Sequence, residues 1–268
     1  MELAEFHHSK VRLGKQPHKH DDRTLRLARY FDTSGIVIPE NFDFDAKRKP
    51  FPVRMWGNDQ YGDCVIAAEA NGELRLERVE TWQTVPIVDA DAINRYKLLT
   101  GCKEAGDEND TGLVILDAMR NWRKLGFLTA YKERDYKIDA YGELDTHDPQ
   151  QLREGIYLLH GIHFGFALPA AAQEMTNNGV WDYKGETGSE WEPGSWGGHC
   201  VYAKKYTPES IYVLTWGMEI EVTNAFVHKY ADEAWGVVDS LDAWRKTGHF
   251  NVDAMESDLS QISTKVNQ

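Results

Sequence analysis

The sequence predicts an α+β fold with two segregated lobes. Three observations predict it. Apolar residues recur at helical spacing through the first half of the chain, strict alternation replaces that spacing from Ile162 onward, and the two patterns do not interleave as βαβ units would require. With 268 residues, 41% hydrophobic residues and nine Trp, there is enough apolar side chain for a large core, so global disorder is excluded.

Residues 1–50 read as an irregular arm with one short helical stretch near Arg23–Phe31. The first 30 residues carry seven basic and four acidic side chains, in a chain of net charge −13. They read either as a solvated basic terminus or as an arm lying on an acidic surface, its own or a partner's. Lys49-Pro50-Phe51-Pro52 forces extended backbone and opens the main body. A helix then starts at Cys64, through Val65, Ile66, Ala67, Ala68, Ala70, Leu74 and Val79, with Asp63 placed to cap it. Further helices are expected over Asp91–Leu99, over Leu113–Lys124 with Gly126 ending it, and over Leu152–Leu159. Ile162, Phe164, Phe166 and Leu168 alternate with His163, Gly165 and Ala167, which is strand period. A glycine-rich aromatic loop covers Asn177–Gly198. Strands His199–Tyr206 and Ile211–Trp216 follow, joined by a turn at Thr207-Pro208-Glu209-Ser210. Met255, Leu259 and Ile262 give the tail helical spacing, suited to docking on the body. The expected division is a basic arm over 1–50, the main domain over 51–240 and a helical tail over 241–268.

Composition removes several function classes. No apolar run approaches the roughly 18 residues of a membrane-spanning helix, and the first 20 residues lack a signal-peptide core. Three cysteines do not make a disulfide scaffold, so a reducing, cytoplasmic compartment is expected. The acidic balance argues against nucleic-acid recognition, and no membrane partner is expected. His7, His8, His18 and His20 are irregularly spaced and read as solvated rather than metal-binding. Glu104, Asp107, Glu108 and Asp110 read as a solvated acidic loop without the ligand rhythm of a calcium site. No metal or cofactor is expected.

Cys64 carries the most chemistry. At a helix start after Gly62, free N–H groups and the helix dipole stabilise a thiolate and can hold an oxyanion. His199 opens a strand after Gly197-Gly198, and glycines there permit close approach of backbone or ligand. If His199–Tyr206 and Ile211–Trp216 form a hairpin with Ala203 opposite Ile211, His199 faces Thr215.

Over residues 50–235 the sequence resembles the papain-like cysteine peptidases, in four segments in order. These are Asn58 through Ala68 around the nucleophile, Asn109-Asp110-Thr111-Gly112-Leu113, the Leu152–Ala167 helix and strand, and Gly198-His199-Cys200-Val201 with Thr215-Trp216-Gly217. His199 lies 135 residues after Cys64, within the family's spacing of about 130–150. The Gly-Asn-Asp-x-Tyr-Gly-Asp-Cys and Gly-Ser-Trp-Gly-Gly-His motifs also resemble those of uncharacterised bacterial and bacteriophage proteins. The resemblance implies a papain-like two-lobe fold, with the nucleophile helix in a helical lobe and the histidine in an antiparallel β lobe. It implies Cys64 as nucleophile and His199 as its ion-pair partner and general acid. The oxyanion donor would be Asn58, favoured by spacing, or Gln60. Matching Trp216-Gly217 puts Leu214 in the orienting position, whereas counting from His199 puts Thr215 there, and only Thr215 can accept a hydrogen bond. Thr111, Gly112, Gln60, Trp196 and Trp216 would line the substrate, with Trp216 walling the histidine from water. Tyr61 stands where the family's first disulfide begins, leaving Cys102 an unpaired core thiol. Cys200 should face away from His199 into core.

The expected activity is a cysteine hydrolase, a peptidase or peptide-bond amidase acting on a peptide or protein by acyl transfer. The alternatives are a non-catalytic papain-fold structural or binding protein, such as a bacteriophage virion component contacting other virion proteins through the arm, and acyl transfer to an amine. The Asp63 carboxylate beside Cys64 opposes thiolate formation unless it caps the helix or pairs with a cation. The family's long inhibitory propeptide is not evident in the 63 residues before Cys64, although the basic arm can still cover the cleft.

Overall fold

Eighteen residues without proline, Cys64–Thr81, form α1, the helix on which the molecule is organised. It is buried on every side from Cys64 to Glu77, polar residues included, as expected of a helix packed inside rather than on the surface. Two of its buried charges are held in close ion pairs. Glu69 Oε2 accepts from Arg95 Nε at 2.6 Å, and Arg75 reaches Asp45 at 2.6 Å. The computed structural model describes residues 11–48, 51–81, 86–127, 129 and 136–266; His7, His8, Lys10 and the Lys49-Pro50 entry lie outside them.

The other helices are α2 (Asp89–Thr100), α3 (Ile115–Leu125), α4 (Pro149–Leu158), α5 (Ala172–Asn177), α6 (Asn224–Tyr230), α7 (Leu241–Thr247) and α8 (Val252–Val266). The strands are β1 (Leu25–Arg26), β2 (Phe42–Asp43), β3 (Ala140–Leu144), β4 (Ile162–Leu168), β5 (Val180–Trp181), β6 (Gly197–Tyr206), β7 (Ser210–Thr215), β8 (Met218–Thr223) and β9 (Ala231–Val238). They hydrogen-bond in the order β1-β3-β9-β4-β6-β7-β8-β5, with β2 also on β6. One core lies between α1, α2, α3 and residues such as Cys200, Tyr202 and Trp235 of β6 and β9. The second lies among β4, β6, β7, β8, α4 and α6, around Phe164, Phe166, Val201 and Trp181. The fold is therefore α+β in two lobes.

Local chemistry explains the helix ends. α2 begins at Asp89, earlier than its apolar pattern, because the Asp91 carboxylate accepts from Val88 N at 2.9 Å. α4 starts at Pro149, with Asp148 accepting from Gln150 N and Gln151 N. α3 starts at Ile115 rather than Leu113 because the Leu113 backbone is engaged elsewhere: its N–H donates to Gly14 O and its carbonyl accepts from Gln16 N. Strands β3, β8 and β9 extend the sheet beyond the expected elements. β9 is buried on both faces at Ala234–Val238, so it lacks the alternation that marks a half-exposed strand.

The described residues 11–48 do not stand apart from the body. β1 adds to the sheet edge beside β3, β2 pairs with β6, and Leu27, Tyr30 and Phe44 are buried. The expected helical stretch is a single 3-10 turn, Leu27–Tyr30. In the tail, Met255 of α8 is buried, with Leu259 and Ile262 packed against the same core. No described helix is long and apolar enough to cross a membrane.

Candidate active site

Cys64 is the first residue of α1 and is fully buried. Its sulfur accepts from Cys200 N at 3.4 Å, which places it one residue from His199 along β6. His199 is also buried. Its Nε2 lies 2.6 Å from Thr215 Oγ1, and its Nδ1 has no hydrogen-bond partner among the described residues. The Trp216 ring stacks on the imidazole, with centroids 4.1 Å apart and planes 17° from parallel. Trp216 holds φ at +45°, a region costly for a bulky residue and maintained by the surrounding packing. Trp196 is half-buried, 5.4 Å from Trp216.

The hairpin register differs from the expected one. Ala203 faces Val213, not Ile211, and a bulge between Ala203 and Lys205 shifts the ladder. Extending the Tyr202–Leu214 pairing puts Thr215 opposite Val201, so His199 is its diagonal neighbour on the same face, within side-chain reach. The His199–Thr215 contact thus forms by a different register. Cys200 projects into the other core.

The loop before Cys64 is rigid. Asn58 is buried and one hydrogen of its amide goes to Tyr61 O at 3.0 Å, closing the turn. Gln60 is exposed on that turn and makes no side-chain hydrogen bond among the described residues. Asp63 does not cap α1 with its side chain; its backbone carbonyl accepts from Ile66 N and Ala67 N. Burial pushes the Asp63 carboxyl well above the usual carboxylate range, against a smaller pull from Asn58, which favours the neutral acid beside Cys64. Asp110 is not a solvated residue of an acidic loop. Its Oδ1 accepts from Gly62 N at 2.9 Å and from Tyr96 OH at 2.7 Å, while Tyr96 OH accepts from Gly112 N at 2.9 Å. This network ties the loop before Cys64 to the Thr111-Gly112-Leu113 segment. Its signal in the sequence is weak, because an aspartate in an acidic run looks like its solvated neighbours. Cys102 is a free, buried thiol.

Residues 12–16 thread the groove between the two lobes. Arg12 N donates to Asn58 O at 2.9 Å and Trp216 Nε1 to Arg12 O at 3.2 Å. Leu113 N donates to Gly14 O at 2.7 Å, Gln16 N to Leu113 O at 2.9 Å, and Lys15 N to Gly198 O at 3.1 Å. Gln16 Nε2 donates to Thr111 O. The strand runs parallel to Leu113. Its fit depends on glycines: a Cβ on Gly14, Gly112 or Gly198 would strike backbone carbonyl of Gly62, Gly14 or Lys15, closer than the 3.0 Å below which Cβ atoms are essentially never found. Lys15 is therefore not solvated but buried between the lobes, while Arg12, Lys19, Arg23, Arg26 and Arg29 are exposed. His18 and His20 lie 3.0 Å from Glu143 and 2.8 Å from Asp22.

Burial in the covered groove sets the protonation states. It pushes the Cys64 thiol up to about 12, with hydrogen bonds from Cys200 and Gly14 pulling the other way. It pulls His199 down to about 3. Both shifts favour the neutral thiol and the neutral imidazole over an ion pair while the strand is in place.

The architecture is that of papain-like cysteine proteases. Xylellain, a cysteine protease from Xylella fastidiosa, is similar with TM-score 0.65 and 17% identity, over 86% of this chain and 97% of its own. Procathepsin B S9 from Trypanosoma congolense is similar with TM-score 0.59 and 14% identity, over 90% and 89%. The CMS1MS2 cysteine protease of Carica candamarcensis, in complex with E-64, follows with TM-score 0.53 and 15% identity, over 75% and 99%. No protein-family model and no curated protein sequence matches the chain.

Proposed function

We propose that this chain is a cysteine hydrolase of peptide bonds, here in a latent form whose cleft is covered by its own residues 12–16. The observation that carries the reading is the strand itself. The groove over Cys64 holds an extended polypeptide by main-chain hydrogen bonds to Leu113 and Gly198, the mode by which a peptide would be presented to the sulfur.

With the strand withdrawn, water reaches Cys64 and His199 and the burial that keeps both neutral is relieved. Nδ1 of His199 then takes the thiol proton, leaving a thiolate at the start of α1. The sulfur attacks the substrate carbonyl carbon, and the Cys64 N–H with the remaining Asn58 amide hydrogen receives the oxyanion. Nδ1–H returns its proton to the leaving amine as the C–N bond breaks, and water hydrolyses the thioester. Thr215 accepts from Nε2–H throughout and holds the ring in the orientation this requires.

The test is hydrolysis of fluorogenic peptide amides by full-length chain carrying Gly14→Val, which cannot seat the strand. Turnover that vanishes in Cys64→Ala and in His199→Ala is the expected outcome. An opened chain whose Cys64 alkylates no faster than Cys102, with no turnover, would sink the reading.

A further inference from the structure

The side chain of Lys15 enters a closed acidic pocket beside the groove. Its Nζ lies 3.0 Å from Glu233 Oε1 and 2.9 Å from Asp232 Oδ2, and also donates to Gln16 O at 3.2 Å. The side chains of Lys15 and Glu233 are each 1% exposed, and Asp232 stands at the rim at 33%.

The pocket is built, not accidental. Gly165 supplies its wall: a Cβ there would meet Glu233 Cγ, Asp232 Oδ1 and Lys15 Cδ at less than 3.0 Å. Neighbouring residues of a strand normally point to opposite faces, and would separate the two carboxylates. Here β4 and β9 shift register, Gly165 pairing with Glu233 and Phe166 with Ala231, so Asp232 is the extra residue of a bulge. The bulge brings both acids to one ammonium. Trp235 Nε1 donates to Glu233 Oε2 at 2.7 Å, fixing that carboxylate and leaving its other oxygen for the cation. Burial alone would lower the Lys15 pKa, but Glu233 and Asp232 outweigh it and raise it, so the ammonium stays charged.

Covering the groove needs only main-chain bonds and glycine contacts; it does not need two acids beneath it. Once residues 12–16 leave, Glu233 is a buried carboxylate without its counter-charge, a state that favours any ligand able to restore one. We infer that this Glu233–Asp232 pocket is the specificity pocket of the cleft and selects a lysine or arginine side chain in the bound peptide, with Lys15 as its internal stand-in. The inference rests on the hydrolase reading for its consequence, but the pocket's preference is a binding property and is measured separately.

The probe is a labelled peptide of the arm's own sequence, Val-Arg-Leu-Gly-Lys-Gln-Pro, against the same peptide with norleucine for lysine. Binding is read by fluorescence anisotropy on full-length Cys64→Ala/Gly14→Val chain. The lysine peptide should bind at least about tenfold tighter, and Glu233→Gln should reduce that ratio to about threefold or less. In the otherwise unaltered chain, Lys15→Met should raise the rate of Cys64 alkylation about tenfold, because the strand loses its charged anchor. Equal binding of the two peptides, binding of neither, or an unchanged alkylation rate in Lys15→Met overturns the inference. A lysine preference in binding without turnover by Gly14→Val chain leaves the pocket standing and removes the hydrolase reading. Turnover indifferent to lysine or arginine against leucine does the reverse.

Discussion

Gly14 packs backbone to backbone against Gly62, two residues before Cys64, with no room between them for a methyl group. The obstacle on the Gly62 side is main-chain carbonyl, which cannot rotate away as a side chain would. Gly14→Val should therefore expel the strand rather than shift it. Alkylation of Cys64 is expected to accelerate at least about tenfold over the parent chain as burial is relieved. Intact mass and peptide mapping, with Cys102 and Cys200 as internal references, measure it. A Cys64 rate equal to the parent's means that the strand still occupies the groove.

Thr215 is expected to orient His199 through its hydroxyl alone. In the opened Gly14→Val background, Thr215→Val should lower kcat/KM about ten- to a hundredfold, while Thr215→Ser stays within about threefold of the parent. The pH profile of Cys64 alkylation should move in the valine variant only. A valine variant with an unchanged profile would assign the 2.6 Å contact to packing.

Burial holds His163 and His199 down to about 3 and His160 to about 4. These folded values lie below the unfolded one near 6.5, so the unfolded chain binds more protons as pH falls. Stability is thus present above about pH 6.5 and is lost as pH drops toward the folded values, by up to about 1.4 kcal/mol per pH unit for each histidine. Asp63 and Glu69, whose carboxyls burial raises, work in the opposite direction. His163→Phe leaves them untouched and keeps an aromatic ring between Trp122 and Tyr202. Urea unfolding of this variant between pH 7 and 5 should show a shallower loss of stability than the parent. Parallel slopes would show that His163 takes no part in acid sensitivity.

Arg95 joins three helices, α1, α2 and α3. Its Nε meets Glu69 of α1 at 2.6 Å, and its Nη1 meets Gly126 O, at the end of α3, at 2.7 Å. Arg95→Met leaves Glu69 buried and uncompensated, and should cost about 3–5 kcal/mol in chemical denaturation. Adding Glu69→Gln should return a substantial part of that loss. A single variant within about 1 kcal/mol of the parent contradicts this account.

The legible parts of the sequence are those that local pattern specifies. A glycine-preceded helix start marks Cys64, and a glycine-flanked strand marks His199. The chain's alternation marks β4 and β6, although β9, buried on both faces, carries no such mark. Thr215 is not legible from the turn register: continued from Tyr206–Ile211, the pairing would set it opposite Tyr202, and the bulge after Ala203 is what brings it opposite Val201, on the face of His199. Lys15 is the least legible. A lysine in a basic terminus reads as solvated, and its burial depends on Gly165 and the Asp232 bulge, more than a hundred residues away. Asp63 reads as a charge opposing the thiolate, yet the burial that raises its pKa comes from the folded loop around it.

The covering strand is tethered on its C-terminal side: soon after Gln16, Leu25 and Arg26 are fixed in the sheet against Gly142 and Glu143. A ligand tethered so closely experiences an effective concentration of about millimolar or more, whatever the concentration of the protein. Closure is thus a first-order equilibrium, indifferent to dilution. A segment whose free-peptide affinity is only micromolar keeps the cleft shut nearly all the time. Any peptide arriving from solution must outcompete a neighbour that never diffuses away.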